Sequence, residues 1–429
     1  MAKEINISDK GGKIKGEMTK KVELKETSTQ ITDNKKERKI TKVPISKRKK
    51  ILIFSLASFA FLLLVGIGLF YYFGIYKATP YKKPSDIINL TNQYILSLPI
   101  ESKLVTIPIP KPSEPKTEES VINGKLFTKT EILKLETRRP VAVMINNHAD
   151  ARPQSGLNSA DIVFETLAEG GITRYLAIFW SETPEKVGPI RSARQYYLEW
   201  LSPFDPLYIY DGCADTTNPK TDACGNIYAY NIKKIATIGA WRWNDGVRYA
   251  PHNEYSSLKT AWEYAEDRNW DEFPDIDSWK FKKDASLEDR GLKTKVDITF
   301  HERLNNAGAY DVVWTYDSKT NLYFKQTGGK LDVDQESSTQ IYTKNLVIQE
   351  VTLTPSYDDK GRIILTTIGE GKATIFIDGK ITTGTWKKTS RTDRTKYYDS
   401  QGNEVLFNRG RVWISVVPRS IGKFDIIEQ

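Results

Sequence analysis

Polar side chains that could bind or transform a ligand are concentrated at the ends of the elements predicted between residues 139 and 255. The candidate ligand-binding residues are Arg152, Gln154, Glu165, Arg174, Arg191, Ser192, Arg194, Asp211 and His252. The run IRSARQYYLEWL predicts a helix, and the first turn of a helix exposes backbone N–H groups that favour an anion. Arg191 and Arg194 would then form a planar fork for a carboxylate or phosphate. The alternative is internal salt bridging to Glu165, Glu169 or Asp161.

The four arginines of this set are expected to converge on one cleft of a first exported domain, predicted at residues 120–284. Each lies beside a turn or an element end, and a buried guanidinium must be paired. If Glu165 alone pairs with them, positive potential remains for a ligand. The sequence therefore predicts an Arg-lined polar cleft for an anionic or carbohydrate ligand. Five tryptophans between residues 241 and 279 could stack on sugar rings or build a core.

Acid–base chemistry is the alternative use of these side chains, with Asp211, Glu165 or His252 as acid or base of a cell-envelope hydrolase. A histidine can exchange protons near neutral pH. The chain nevertheless contains no evident serine nucleophile elbow, no HExxH and no paired acid motif. Whether the protein is an enzyme therefore stays open. Approach of the three side chains to within about 6 Å in one pocket would favour catalysis, and scatter would favour binding.

No metal or cofactor is predicted. The chain has only three histidines, its cysteines lack paired C-x-x-C spacing, and no stretch supplies a full calcium loop. The two cysteines, Cys213 and Cys224, enclose a loop rich in Thr, Asp, Asn and Pro. We predict that they form a disulfide, because the loop can bend back and its compartment is expected to be oxidising.

Two exported domains are predicted around these residues, which gives an α+β fold class. Residues 120–284 read as a mixed α/β domain, with strands at 141–145, 161–166, 173–180 and 206–210 and a helix at 190–201. Residues 285–429 read as a mostly β domain, because short runs rich in Val, Ile, Thr and Tyr alternate with turn signals.

One uncharged segment, residues 51–73, organises the rest of the chain. Its 23 residues can cross a hydrocarbon core as a helix and end in interfacial aromatics, unlike a cleaved signal peptide. Residues 1–50 read as a disordered basic tail, and residues 74–119 as a Pro-rich linker. Lys and Arg at 47–50 place the N-terminus in the cytoplasm and the domains outside. The prediction is a single-pass protein of the cytoplasmic membrane.

The charge distribution argues against nucleic acid as a partner of the exported part. The first 50 residues hold 16 Lys and Arg against 7 Asp and Glu, so they account for the whole formal charge of +9. The remaining chain is formally neutral, whereas phosphate neutralisation requires clustered positive charge. The membrane and a cell-envelope ligand are therefore the expected partners.

Long blocks of the sequence resemble a known family. RRPVAVMINNHADARPQSGLNSADIVFETLAEGGITRYLAIF, KVGPIRSARQYY and APHNEY are similar to the N-terminal domain of the YerB-like bacterial lipoproteins, and GTWKK with WISVVP to their C-terminal domain. The resemblance covers about residues 120–427 and implies an extracytoplasmic protein without an assigned activity. Family members typically carry a lipobox cysteine, and none precedes Cys213 here, so the predicted membrane helix would replace the lipid. The cysteine-bearing loop is also longer than the glycine-rich turn of the family.

Overall fold

A central ten-stranded sheet carries the residues that could form a site. The structure is a computed structural model that describes residues 114–428 apart from Lys293 and Asn305. The predicted tail, the predicted membrane helix at 51–73 and residues 74–113 of the linker lie outside the described residues. Within the described part, no helix has the length and apolar character needed to cross a membrane.

The described residues form four short α-helices: α1 Lys129–Leu135, α2 Gln195–Leu201, α3 Ala223–Ala229 and α4 Leu258–Glu266. They also form the strands β1 Glu118–Glu119, β2 Leu126–Phe127, β3 Val141–Asn146, β4 Ile162–Leu167, β5 Thr173–Phe179, β6 Leu207–Ile209, β7 Lys233–Ala236, β8 Trp241–Arg242, β9 Glu254–Tyr255, β10 Lys280–Lys282, β11 Thr294–Thr299, β12 Val312–Asp317, β13 Leu322–Thr327, β14 Lys330–Leu331, β15 Val333–Asp334, β16 Thr339–Gln340, β17 Tyr342–Thr343, β18 Asn345–Val351, β19 Leu353–Pro355, β20 Ile363–Leu365, β21 Gly369–Ile377, β22 Lys380–Lys388, β23 Lys396–Asp399, β24 Leu406–Asn408, β25 Val412–Pro418 and β26 Lys423–Glu428. The described fold is thus mostly β with few helices, consistent with the α+β class.

The large sheet has the strand order β23-β22-β21-β18-β25-β4-β5-β3-β6-β7. Strands β3 to β7 come from the segment predicted as the first domain, and β18 to β25 from the segment predicted as the second. The junction is the parallel pair β25 and β4, in which Val412 lies opposite Ile162. Both segments therefore contribute to one continuous sheet, and the described residues fall in one compact unit.

Burial explains why the central strands read as apolar runs. Every residue of β3 and of β4 is buried, as expected for strands covered on both faces. In β12 buried and half-buried residues alternate, because only one face of its six-stranded sheet meets the core. Sequence runs of uniform and of alternating hydrophobicity thus mark two different environments.

Two hydrophobic cores lie on the two faces of the large sheet. Met144 and Phe164 belong to one core, together with Tyr197 and Trp200 of α2. Residues of opposite parity in β3 and β4 belong to the other core, which is closed by α4 and by the six-stranded sheet of β11 to β14, β17 and β26. The central sheet is therefore the middle layer of three.

Strand direction brings polar residues to one edge of this sheet. Strands β3, β6 and β7 are parallel to one another, while β5 is antiparallel to both of its neighbours, β3 and β4. The end of β3 therefore lies beside the start of β5, with Asn146 opposite Arg174. Asp211 follows β6 at the same edge. Ligands of open α/β sheets typically bind outside the carboxyl ends of such strands.

The predicted helix at 190–201 is wrong at its start. Helix α2 begins only at Gln195, and Arg194 is its N-cap with extended backbone angles of φ −132° and ψ 153°. The preceding residues pair with strand ends instead, because the amide of Arg191 donates to Met144 O at 2.9 Å and that of Ala193 to Gly212 O at 2.9 Å. Arg191 and Ser192 consequently lie outside the helix, so the predicted anion site on its first turn is not formed.

Candidate anion-binding site

A cluster of polar side chains occupies the edge of the sheet where β3 and β6 end. We call it the polar cluster. It comprises Asn146, His148, Arg191, Asp211, Arg242, His252 and Glu254. Its members come from four segments: the end of β3, the extended strand before α2, the end of β6, and the β8–β9 hairpin with its loop.

Backbone hydrogen bonds fix these segments against one another. The amide of Ile190 donates to Glu254 O at 2.6 Å, and the amide of Asp211 donates to Arg191 O at 3.1 Å. In the hairpin, Arg242 lies directly opposite Glu254. Arg191, Asp211, Arg242 and Glu254 are therefore mounted on paired backbone.

Arg174 and Arg194, beside this cluster, are paired internally. Both contact Glu169, with Arg194 Nη2 2.7 Å from Oε2 and Arg174 Nη2 3.3 Å from the same oxygen. Burial alone would raise the pKa of Glu169, but the hydrogen bond and charge of Arg194 bring it below its usual value. These two arginines thus realise the salt-bridge alternative, with Glu169 rather than Glu165 as the partner.

Arg191 is the cation left without such a partner. It is half-buried, and its guanidinium makes no hydrogen bond or ion pair with any residue that the structure describes. Burial lowers the pKa of Arg191, and the charge of Asp211 opposes that effect. A partly desolvated guanidinium offers up to five N–H donors, so this position is suited to an oxyanion.

Two stacked histidines lie next to Arg191, with the ring centroids of His148 and His252 4.3 Å apart. Nδ1 of His148 accepts the backbone amide of Asp150 at 3.2 Å. The side-chain oxygen Oδ1 of Asn146 accepts the backbone amide of His148 at 2.9 Å, so the side-chain nitrogen Nδ2 of Asn146 donates to Nδ1 of His252 at 3.0 Å. The neutral ring of His252 therefore carries its proton on Nε2 and presents a donor there.

The charges around His252 favour its neutral form. Burial lowers the pKa of His252, and the neighbouring His148 and Arg191 lower it further, whereas Asp150 acts in the opposite direction. At neutral pH the ring is thus an N–H donor without a full charge. It can donate to an anion already held by Arg191.

A carboxyl pair forms the other side of the polar cluster. Arg242 Nη2 lies 2.6 Å from Glu254 Oε2 and 4.0 Å from Asp211 Oδ2. Burial raises the pKa of Glu254, and a hydrogen bond with Asp211 and the charge of that carboxylate raise it further. Two carboxylates this close favour a shared proton. The raised pKa means that Glu254 takes up a proton at a higher pH than an ordinary glutamate, and that proton would leave Arg191 and Arg242 facing a single carboxylate.

Glu165 lies elsewhere, although it was a candidate acid or base. It is fully buried and accepts a hydrogen bond from Trp413 Nε1 at 3.1 Å. Its Oε1 lies 3.6 Å from Nζ of the equally buried Lys325. Burial raises the pKa of Glu165, and the charge of Lys325 counteracts this. None of the described contacts of Glu165 is with Asp211 or His252.

Three further predicted residues hold the backbone near the site. Gln154 is buried and donates to the carbonyl of Asn146 at 3.1 Å. Ser192 accepts Arg174 Nη1 at 3.0 Å through its carbonyl. Arg152 donates to Asn147 and to the carbonyl of Ala309. Arg152 therefore makes no described contact with the arginines around Glu169, and the expected convergence of all four arginines is not seen.

The cysteine loop lies close to the polar cluster. Cys213 and Cys224 are joined by a disulfide, with Cα atoms 5.3 Å apart. Cys213 pairs with Ala193 in a parallel bridge. The β-bridge and the disulfide together connect the segment that carries Arg191 to the start of α3.

The chain is similar to known proteins over most of its length. Residues 127–271 match the family described as "Protein of unknown function (DUF3048) N-terminal domain", and residues 300–414 match its C-terminal domain. The chain is 32% identical over 310 residues to "Putative lipoprotein YerB" of Bacillus subtilis (strain 168), covering 72% of this chain and 89% of the relative. The chain belongs to the YerB-like family. The crystal structure of the YerB protein from Bacillus subtilis matches with a TM-score of 0.61 at 28% identity, over 72% of this chain and all of the other.

In this YerB-like chain, sequence reasoning missed Asn146, His148, Arg242 and Glu254. Asn146 ends β3 and His148 lies two residues beyond it, so the expectation that polar site residues lie at strand ends would have found both. Glu254 lies in the quoted block APHNEY, two residues after His252. Arg242 carried no signal of its own, because its role depends on the β8–β9 pairing.

A group of three residues in this YerB-like chain could in principle hold a metal ion. His148, Asp150 and His252 each offer one ligand atom, and these atoms lie within 4.8 Å of one another. Metal ligation by Nε2 would require the proton to move to Nδ1, where both rings already accept hydrogen bonds. The hydrogen bonding therefore favours an acceptor ligand over a cation.

Proposed function

We propose that this protein is a membrane-associated, extracytoplasmic binding module that holds an anionic ligand at the polar cluster. The observation that carries the proposal is the half-buried Arg191 guanidinium, which makes no hydrogen bond or ion pair among the described residues, while Arg174 and Arg194 share Glu169. A buried or half-buried cation gains most from a charged hydrogen-bonding partner.

The neighbouring donors define the chemistry of that ligand. A carboxylate or phosphate bound by Arg191 can also accept from Nε2–H of His252, while the charge of Glu254 is compensated by its ion pair with Arg242 at 2.6 Å. Trp241, adjacent to Arg242, is 39% exposed and could stack on a sugar ring. A carbohydrate that bears an acidic group is therefore compatible with the same site.

The test is anion binding by full-length protein, with sulfate, phosphate and citrate as probes and calorimetry as the readout. Arg191→Ala should weaken binding by about 1.5–3 kcal/mol, the usual scale for a charged hydrogen bond, and leave the fold unchanged. Arg191→Lys should restore it only in part, since lysine lacks the planar fork. Arg419→Ala, at an exposed arginine without an ion pair in the described part, is the matched control.

Two results would refute the proposal. One is a wild-type protein that binds no anion and gains no thermal stability from any. The other is an Arg191→Ala protein that unfolds, since the guanidinium would then be structural.

A second candidate function is acid–base hydrolysis, and the Asp211–Glu254 pair is the observation that favours it. Two neighbouring carboxyl groups, one of them with a raised pKa, can supply an acid and a base within one site. Glu165 is excluded from this role by its burial against Lys325. Hydrolysis of an envelope glycan or peptide that is lost in both Asp211→Asn and Glu254→Gln would support catalysis, and unaltered anion binding without turnover would support a binding module.

The membrane anchor belongs to the same proposal. The relative in Bacillus subtilis is named as a lipoprotein, and here residues 51–73 would provide the attachment, with the N-terminus in the cytoplasm. Protease added outside intact cells should remove the bulk of the chain and leave the tail protected. A cleaved tail with a protected C-terminal part would reverse the orientation.

A further inference from the structure

A second cavity, distinct from the polar cluster, lies where the turn after β3 meets the β13–β14 hairpin. Its volume is about 460 Å³, within the usual range for a small-molecule site. The lining residues used below are Arg152, Thr327, Lys330, Leu331, Asp332 and Val333. We call it the Arg152–Asp332 cavity.

Asp332 supplies a buried acceptor to this cavity. Its Oδ2 accepts from Nζ of Lys325 at 2.7 Å and from the hydroxyl of Thr327 at 2.5 Å. Its Oδ1 accepts no hydrogen bond from the described part of the chain, although the residue is only 6% exposed. This oxygen is not among the fully buried atoms that lack a partner, so it keeps some exposure and a donor that enters the cavity can reach it.

Arg152 supplies rigidly held donors to the same cavity. Its Nε and Nη2 donate to Asn147 at 3.0 and 3.2 Å, and its Nη1 donates to Ala309 O at 2.9 Å. Its guanidinium also lies 5.2 Å from the ring centre of Tyr310. Three of five N–H groups are used, so two remain for a ligand in a fixed direction. Lys330, exposed and without a described ion pair, adds positive charge at the mouth.

An apolar wall completes the cavity. Leu331 is 60% exposed and Val333 is 38% exposed, and both line it. The cavity thus combines an acceptor on Asp332, donors on Arg152 and aliphatic side chains. This combination suits a ligand that has a positive group, a negative group and an apolar part.

We infer that the Arg152–Asp332 cavity binds a zwitterionic amino acid or short peptide. The ligand ammonium donates to Asp332 Oδ1, the carboxylate accepts from Arg152 and is attracted by Lys330, and an aliphatic side chain packs on Leu331 and Val333. An inorganic anion would leave the acceptor of Asp332 unmet, and an amine alone would meet the positive charge of Arg152 and Lys330.

The test uses full-length protein and isothermal titration calorimetry with three probes: leucyl-leucine, its N-acetyl derivative and its C-terminal amide. Leucyl-leucine should bind saturably. Each derivative should bind about 10- to 150-fold more weakly, since each lacks one charged hydrogen bond. Equal affinity for all three, or no saturable binding of leucyl-leucine, would overturn the inference.

Variants locate the binding. Asp332→Asn should weaken leucyl-leucine at least tenfold but can also disturb the buried Lys325. Lys330→Glu avoids that problem because Lys330 is exposed; it should weaken leucyl-leucine several-fold without changing the melting temperature. Lys319→Glu, exposed on the β12–β13 turn, is its control. If Lys330→Glu and Lys319→Glu bind alike, leucyl-leucine is not in this cavity. Arg191→Ala should leave this binding unchanged, which separates it from the anion site.

Discussion

Replacing Glu169 by Gln should destabilise the protein strongly, because one carboxylate neutralises two guanidinium groups. The side chains of Arg174, Arg194 and Glu169 are 11%, 14% and 19% exposed, so the pairs are largely withdrawn from water. Removing one partner of a buried pair typically costs about 3–5 kcal/mol. The amide can still accept a hydrogen bond, so we expect a loss of about 3 kcal/mol in the free energy of unfolding.

Urea denaturation followed by tryptophan fluorescence measures this loss. The matched control is Glu263→Gln, which removes an exposed pair with Lys259 whose side chains are 59% and 79% exposed. Such an exposed pair is worth about 0.3–0.5 kcal/mol. If the two variants differ by less than about 0.5 kcal/mol, the reasoning about a shared buried carboxylate is wrong.

The pH dependence gives the same prediction a second readout. The pKa of Glu169 is lowered in the folded state, so its contribution is present above the unfolded pKa and is lost as the pH falls through the folded value. The stability difference between wild type and Glu169→Gln should therefore be full at pH 7 and shrink in the acid range. A difference that stays constant down to pH 3 would contradict an electrostatic origin.

Three other predictions concern the bridge, a close backbone approach and a titrating ring. Denatured, unreduced protein should show no free thiol, and replacing both Cys213 and Cys224 by Ser should lower the free energy of unfolding by about 2–4 kcal/mol. Gly171→Ala should be clearly more destabilising in thermal melts than Gly329→Ala: φ is +74° and +73°, but a Cβ at 171 would collide with a neighbouring carbonyl whereas the space at 329 is open. Sulfate affinity at the polar cluster should rise as the pH falls from 7 to 5, because the lowered pKa of His252 keeps the ring neutral at pH 7 and protonation adds charge; equal slopes in wild type and His252→Gln would refute this.

The central strands could be predicted from the sequence because strands buried on both faces consist of continuous apolar runs. The run VAVMI became β3, and TRYLAIFW became β5 with its end one residue short of the prediction. The run IRSAR was wrongly assigned to the helix. Its apolar residues have helical spacing, but its backbone pairs with strand ends that come next to it only in the tertiary structure.

The partners of the polar residues were harder to predict. Glu165 meets Lys325 and Trp413, which are 160 and 248 positions away along the chain. Glu169 was only one of three named alternatives for pairing the arginines. It lies just beyond the end of β4, four positions after Glu165, which is buried within that strand. The local hydrophobic pattern is enough to predict the strands. Which charged residues pair with one another depends on contacts between segments that are distant in the sequence.

The position of β25 determines when the central sheet can be completed during synthesis of the chain. Residues 412–418 form the strand that lies between β4 and β18, so the middle of the sheet can be completed only after the chain has been synthesised as far as residue 418. Until then β4 has an open edge with unpaired backbone groups, which is a hazard for association with other chains. A nascent chain that stalls or is cut before residue 412 would therefore lack the middle of its sheet. Quality control in the cell could recognise such a fragment by that exposed edge.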